Sequence, residues 1–202
     1  MPNTVTNQDD PQGNASQLDP QQTGTPETTQ TTPVTRPTRR EEPQAPIRLV
    51  ERAVRLEPLI RDALASYQPE IGAAVDQLVV RVPLDNLVEA ACILKENPLL
   101  DFNYFRCLAT VDYIEYFELV YILYSTRKRH QVLLKTTCPY EKASAPSLIP
   151  VWQAADWFER ESHDLFGVLF EGHPNLKPLL LYDGFEGYPG RKSFAFNDYE
   201  DW

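Results

Sequence analysis

The fold is decided by three consecutive runs of the chain: YFRCLATVDY (104–113), FELVYILYS (117–125) and QVLLKTT (131–137). Each run is rich in aromatic and β-branched residues, which favour strands over helices. The links at 114–116 and 126–130 are short. Links of this length join antiparallel neighbours, whereas parallel strands need a long crossover. The three runs therefore predict an antiparallel meander.

The preceding part of the chain supplies helices to cover this sheet. Apolar residues recur at helical spacing over 47–67, and Pro58 is expected to split that run into two helical pieces. Alternating residues predict a strand at 78–82, and a helix follows over 86–96 with Asp85 as its N-cap. The order helix, strand, helix and three strands predicts an α+β two-layer sandwich. Its sheet is mostly antiparallel, with the helices on one face.

The composition changes twice along the chain, which predicts three regions. Residues 1–46 are rich in Pro, Thr and Gln and lack aromatics, as is typical of a disordered tail. Residues 47–166 form the predicted core domain, which ends in a helix over 151–162 that breaks at Gly167. Residues 167–202 alternate turn formers with large apolar residues, so we expect an irregular arm that is buried against its own domain or another subunit.

Charge and cysteine content exclude several classes of protein. The chain has 29 acidic and 19 basic residues, a net charge of −10, which argues against nucleic-acid binding. Its three scattered cysteines form no CxxC pair, so neither a zinc clip nor an iron–sulfur cluster is indicated. No apolar run approaches the roughly 20 residues that span a bilayer. We therefore expect contact with a membrane only through partner subunits.

The stretch 157–174 concentrates acids, histidines and aromatics, and three interpretations remain open. A hydrolase would use Glu159, Glu161 and His163, with His173 nearby, as metal ligands or as an acid–base pair. His163 lies four residues from Glu159 but two from Glu161, so the three cannot share one helix face, and no nucleophile or phosphate-loop motif occurs in the chain. A charge-assisted structural element would instead pair Arg160 with Asp164 or with carboxylates of another chain. A stand-alone protein-binding module is the third interpretation.

A longer pattern connects this stretch with a known family. Glu159-Arg160-Glu161-x-x-Asp164-Leu165-Phe166-Gly167, followed by Phe170-x-Gly172-His173-Pro174, resembles the signature of the thirty-kilodalton subunit family of NADH–quinone oxidoreductase (respiratory complex I). Residues 189–194, with Arg191 and Lys192, resemble the family's Pro-Leu-Arg-Lys-Asp-Phe element. Two residues depart from it: Gly190 stands for the usual Leu and Ser193 for the usual Asp.

The resemblance implies a structural and assembly subunit of the peripheral arm, without an active site or cofactor of its own. Iron–sulfur clusters, FMN and quinone would belong to partner subunits. The partners would be the large subunit of the quinone site and the small iron–sulfur subunit, at the cytoplasmic face of the bacterial inner membrane; the protein would not be secreted. Ferredoxin-driven and hydrogenase-type relatives are an alternative setting. The acidic and basic signature residues are expected to form ion pairs within or between subunits, while Phe166, Gly167, Gly172, His173 and Pro174 shape the turn.

Overall fold

The computed structural model describes residues 51–195, so the predicted tail at 1–46, the first four residues of the predicted core domain (47–50) and residues 196–202 lie outside the described residues. This part of the chain contains three α-helices and seven strands. In order they are α1 (Glu51–Ala63), β1 (Glu70–Ala74), β2 (Gln77–Arg81), α2 (Leu87–Glu96), β3 (Tyr104–Asp112), β4 (Tyr116–Ser125), β5 (His130–Pro139), β6 (Ser144–Pro146), α3 (Ala155–Phe166) and β7 (Leu169–Glu171).

Five of these strands form one sheet in the order β1-β2-β5-β4-β3. The predicted meander is confirmed, because β4 pairs antiparallel with both β3 and β5. One pair is parallel: β2 lies beside β5, and the chain between them passes through α2, β3 and β4. Strands β6 and β7 form a separate parallel ladder that joins the segments on either side of α3.

One face of the sheet carries the core, as the two-layer prediction requires. Phe117, Leu119, Tyr121 and Leu123 alternate along β4 and are fully buried on this face. The apolar faces of all three helices belong to the same buried cluster, which includes Ile60 of α1. Burial of this apolar surface is the main force that holds the layers together. The α+β sandwich with helices on one face is therefore confirmed.

The first helix corrects the prediction at Pro58. Helix α1 continues through this proline instead of dividing there. A proline inside a helix removes one backbone hydrogen bond and costs about 3 kcal/mol. Leu56 and Ile60, on either side of it, are 2% and 0% exposed, so tertiary packing holds both turns in place.

Three boundaries also differ from the sequence pattern. Helix α2 begins at Leu87, and Asp85 lies in a short 3-10 turn without a capping bond. Helix α3 begins at Ala155 rather than 151, because Trp152 packs in a turn where its Nε1–H donates to the Phe102 carbonyl at 3.0 Å. The helix reaches Phe166, and it ends at Gly167 as predicted, where the backbone is left-handed with φ 72°.

Strand β1 was not predicted, because Gly72 and its alanine neighbours carry no strand pattern. It forms because the antiparallel edge of β2 offers partners to its backbone. Within residues 51–195, no helix is long and apolar enough to cross a bilayer.

Candidate docking site

Asp164 is the centre of the signature region. It lies in the last turn of α3 and is 7% exposed. Its Oδ2 accepts hydrogen bonds from three consecutive backbone N–H groups of the arm, those of Leu179 (3.0 Å), Leu180 (2.7 Å) and Leu181 (2.9 Å). Burial raises the pKa of Asp164, but these three N–H groups outweigh it and hold the pKa below its ordinary value. The carboxylate therefore remains ionised and shapes the arm into a tight turn.

Arg160 lies one helical turn before Asp164 and binds the same part of the arm. Its Nε donates to the Lys177 carbonyl at 3.1 Å, and its Nη2 donates to the Pro178 carbonyl at 3.0 Å. The guanidinium also lies 5.8 Å from the ring centroid of Trp157. The predicted Arg160–Asp164 pair is therefore wrong. The cation binds arm carbonyls while the anion binds arm N–H groups, so the two charges together hold residues 177–181.

His173 connects the arm to the first turn of α3. Its side chain is fully buried, and its Nε2 lies 3.1 Å from Oδ1 of Asp156. Its Nδ1 accepts the N–H of Asn175 at 3.0 Å, so the proton of the neutral ring is on Nε2. Gly172, with φ 82°, makes the turn that precedes it, and Pro174 is exposed after it. This geometry agrees with the predicted turn.

Arg191 fastens the end of the arm to the core. Its Nε donates to the Phe166 carbonyl at 2.7 Å, which satisfies a free carbonyl at the end of α3. Its guanidinium carbon lies 4.6 to 5.3 Å from the ring centroids of Tyr188, Tyr140 and Phe117. Cation–π contacts of this kind contribute about 0.5–1 kcal/mol each. Arg191 therefore makes no ion pair within residues 51–195.

Gly190 and Ser193, the two residues that differ from the family's Pro-Leu-Arg-Lys-Asp-Phe element, both make local contacts. The Gly190 N–H donates to the Leu165 carbonyl at 2.9 Å, and a Cβ at this position would lie 2.8 Å from the Phe166 ring. A larger residue at position 190 would therefore require the backbone to move. Ser193 Oγ lies 2.9 Å from the Tyr140 hydroxyl, which is a neutral contact.

Lys192 joins the arm to the sheet through its backbone. Its N–H donates at 2.7 Å to Oδ2 of Asp112, a buried residue at the end of β3. The other oxygen, Oδ1, accepts the Ile114 N–H at 2.6 Å. The sequence interpretation missed this role of Asp112, for which the only signal is an acid within an apolar strand run.

Glu159 is fully buried, on the side of α3 that faces the domain interior. Its carboxylate accepts hydrogen bonds from the Ser147 hydroxyl at 2.6 Å and the Leu148 N–H at 2.7 Å. Burial is the main cause that raises the pKa of Glu159 to about 7. The two hydrogen-bond donors lower this pKa, and the negative charge of Asp156 raises it. Glu159 therefore anchors the loop before α3 and does not point toward a partner.

The hydrolase interpretation requires Glu159, Glu161 and His163 to converge, and they do not. Both Glu159 oxygens are occupied by Ser147 and Leu148, while His163 Nδ1 donates to the Val168 carbonyl at 2.9 Å. The acid–base pair of the hydrolase interpretation, a hydrogen bond between Glu159 and His163 four residues apart, is therefore not formed. Residues 51–195 contain no group of three or more His, Cys, Asp or Glu side chains placed to hold a metal ion.

A set of large apolar side chains remains exposed around this region. Trp157 of α3 is 63% exposed, and Leu180 and Tyr182 of the arm are 60% and 72% exposed. We call these three residues the arm face. Because Asp164 holds Leu180 and Arg160 lies beside Trp157, the polar signature residues position the arm face. Exposed apolar surface of this kind is typical of protein–protein contacts.

Comparison with known proteins agrees with the sequence pattern. Residues 80–200 match the family described as respiratory-chain NADH dehydrogenase, 30 Kd subunit. A protein named as an NADH-quinone oxidoreductase subunit from Rhizobium meliloti (strain 1021) is 36% identical over 154 residues, which is 75% of this chain and 84% of the relative. The subunit of the same name from Coxiella burnetii (strain RSA 493 / Nine Mile phase I) is 32% identical over 169 residues, 67% of this chain and 74% of the relative.

Two solved structures share the fold. A chain of the membrane-bound sulfane sulfur reductase, an archaeal respiratory membrane complex, aligns with a TM-score of 0.61 and 30% identity over 70% of this chain and 86% of its own. A trypsin-resistant fragment of Nqo5 aligns with a TM-score of 0.50 and 27% identity over 60% of this chain and 99% of its own. The protein is thus of the class of complex I-type subunits. It belongs to the 30 kDa subunit family of respiratory-chain NADH dehydrogenase.

Proposed function

We propose that this chain is a non-catalytic structural and assembly subunit in the peripheral arm of a complex I-type NADH–quinone oxidoreductase. Its relatives are named as a subunit of that enzyme, which supports the assignment. The observation that carries the structural role is the arm face: one large apolar side chain of α3 and two of the arm are exposed, and the charges of Arg160 and Asp164 hold the arm in place.

The way in which the arm is held supports a docking role. Residues 177–181 are held by five hydrogen bonds from two side chains, although this segment has no regular secondary structure. An arm fixed before binding loses little conformational entropy on association, which strengthens binding. Arg160 and Asp164 therefore serve docking indirectly, because they fix the arm. Among the three signature acids, Glu159, Glu161 and Asp164, only Glu161 makes no hydrogen bond within residues 51–195.

The proposed partners are the large subunit that contributes the quinone site and the small iron–sulfur subunit. Iron–sulfur clusters, FMN and quinone are accordingly assigned to partner subunits. The complex would lie at the cytoplasmic face of the inner membrane, with this chain peripheral to it. The proposed domains are the tail (1–46), the core domain (47–166) and the docking arm (167–202), whose residues Leu169–Glu171 also pair with β6.

A double variant of the arm face tests the docking role. We expect Leu180→Ser with Tyr182→Ser to weaken retention of partner subunits at least tenfold, because each buried apolar side chain contributes about 1.5–3 kcal/mol. The matched control is Leu99→Ser, which changes a residue that is 59% exposed and lies outside the arm. The measurement is the stoichiometry of subunits that co-purify with a tagged full chain, by mass spectrometry.

The outcome shows whether the chain works as a subunit of a larger complex or as a stand-alone protein. If the unaltered chain purifies without quinone reductase subunits, or if the double variant retains them as well as the control does, the docking proposal fails.

The similarity to the archaeal sulfane sulfur reductase chain supports a second candidate, an equivalent subunit of a ferredoxin-driven or hydrogenase-type relative. The identity of the partners separates the two settings, because only one includes NADH-oxidising subunits.

A further inference from the structure

A small cavity lies between α3 and the arm, with a volume of about 140 Å³. Its lining includes Tyr182, Phe185 and Tyr188 of the arm, together with His163 and Asp164 of α3. We call this cavity the arm pocket. Of the described residues that line it, none is Lys or Arg. The arm pocket therefore combines aromatic residues with an acidic residue, and the cation beside it, Arg191, stacks on the Tyr188 ring at 4.6 Å without lining the pocket.

The carboxylate in the arm pocket is only half satisfied. Oδ2 of Asp164 accepts all three arm N–H groups, whereas Oδ1 receives no hydrogen bond from residues 51–195. No Lys or Arg of these residues forms an ion pair with Asp164 either. Oδ1 is not among the buried unpartnered atoms, so it is an open acceptor that a hydrogen-bond donor or a cation can reach.

The second polar group of the pocket is also an acceptor. His163 Nδ1–H donates a hydrogen bond to the Val168 carbonyl, so Nε2 of the neutral ring carries a lone pair. When His163 is neutral, its Nε2 and the Asp164 carboxylate are therefore both hydrogen-bond acceptors. Aromatic faces attract cations through their quadrupole. Both features favour a positively charged group that donates hydrogen bonds.

We propose that the arm pocket binds the guanidinium group of an arginine from a neighbouring subunit. This inference rests on the proposed docking function and names the chemistry of its partner. A guanidinium is planar, stacks on aromatic rings and is more weakly hydrated than an ammonium, so it enters a cavity that is lined in part by aromatic residues at lower desolvation cost. The net charge of −10 favours a basic partner surface around that arginine.

A titration of the full chain tests the pocket without any partner. The probe is N-acetyl-arginine methylamide, followed by NMR shifts of the Gly184 and Gly187 amides, which lie in the pocket lining. We expect saturable shifts with arginine, binding at least fivefold weaker with the lysine analogue, and no saturation with the neutral citrulline analogue. Equal binding of the arginine and citrulline analogues, or no saturable shift with arginine, would overturn the proposal.

An isosteric variant isolates the carboxylate. In Asp164→Asn the amide oxygen can keep the three arm N–H groups, while the amide NH₂ replaces Oδ1 and repels a cation. We expect at least tenfold weaker arginine binding in this variant and unchanged binding in Glu161→Gln, a charge control on the same helix outside the pocket lining. Tyr182→Ala removes a wall of the pocket and leaves the carboxylate in place, and the same loss of binding is expected.

The two proposals can fail separately. If the full chain binds the arginine analogue but co-purifies with no quinone reductase subunit, the pocket inference stands and the docking function fails. If partners co-purify normally with the Asp164→Asn variant, and the arginine analogue leaves the pocket amides unchanged, the docking function stands and the pocket inference is wrong.

Discussion

Replacement of Glu159 by Gln should change how the stability of this protein depends on pH. Burial raises the pKa of Glu159 to about 7 in the folded chain, compared with an ordinary value of 4.5. The folded chain therefore holds more protons than the unfolded chain between these values, and the free energy of unfolding falls as the pH rises through them. The stabilisation is complete below pH 4.5 and lost above about pH 7.

The size of the effect follows from the difference between the two pKa values. At about 1.4 kcal/mol per pH unit, it corresponds to about 3 kcal/mol. A glutamine at position 159 stays neutral, and it can accept the Leu148 N–H while donating to the Ser147 hydroxyl. We therefore expect the unfolding free energy of the variant, relative to the unaltered chain, to rise by about 3 kcal/mol from pH 4.5 to about pH 8.

Urea denaturation at several pH values measures this difference, with fluorescence of the buried Trp152 as the signal. Glu161→Gln is the matched control, since it removes one carboxylate from the same helix at a partly exposed position. The same rise in the control variant would assign the effect to net charge rather than to burial. Parallel curves for the unaltered chain and Glu159→Gln would refute the reasoning.

Three further predictions concern the arm and the cysteines. Gly190→Ala should lower the free energy of unfolding by about 1–3 kcal/mol, because its Cβ has no space, whereas Gly72→Ala, with nothing within 4 Å, should not. Arg191→Lys should cost about 1–2 kcal/mol in urea denaturation by losing its carbonyl bond and its ring stacking, and an unchanged midpoint would contradict these contacts. Burial raises the pKa of Cys138 to about 11, so iodoacetamide should modify it far more slowly than the partly exposed Cys107, as peptide mass spectrometry would show.

Local patterns were sufficient for most of the sheet. The three strands of the meander, β3 to β5, could be predicted because they are rich in aromatic and β-branched residues and their links are too short for any other pairing. Gly167 was predictable because only a residue without a Cβ adopts its left-handed conformation easily at the end of a helix. Strand β1 was not predictable, because its pairing depends on the free edge of β2 and not on its own side chains.

The candidate site, like the fold, has features that the sequence predicted and others that depend on the tertiary structure. The sequence alone determined the family, the strand meander and the residues of the signature, since these depend on residue identity and short-range spacing. It suggested an ion pair between Arg160 and Asp164 because four residues bring side chains together on a helix, but such exposed pairs contribute only about 0.3–0.5 kcal/mol. Only the tertiary structure decided the partners of the two charges. Backbone groups 15 to 18 residues further along the chain need hydrogen bonds, and the arm brings them to Arg160 and Asp164.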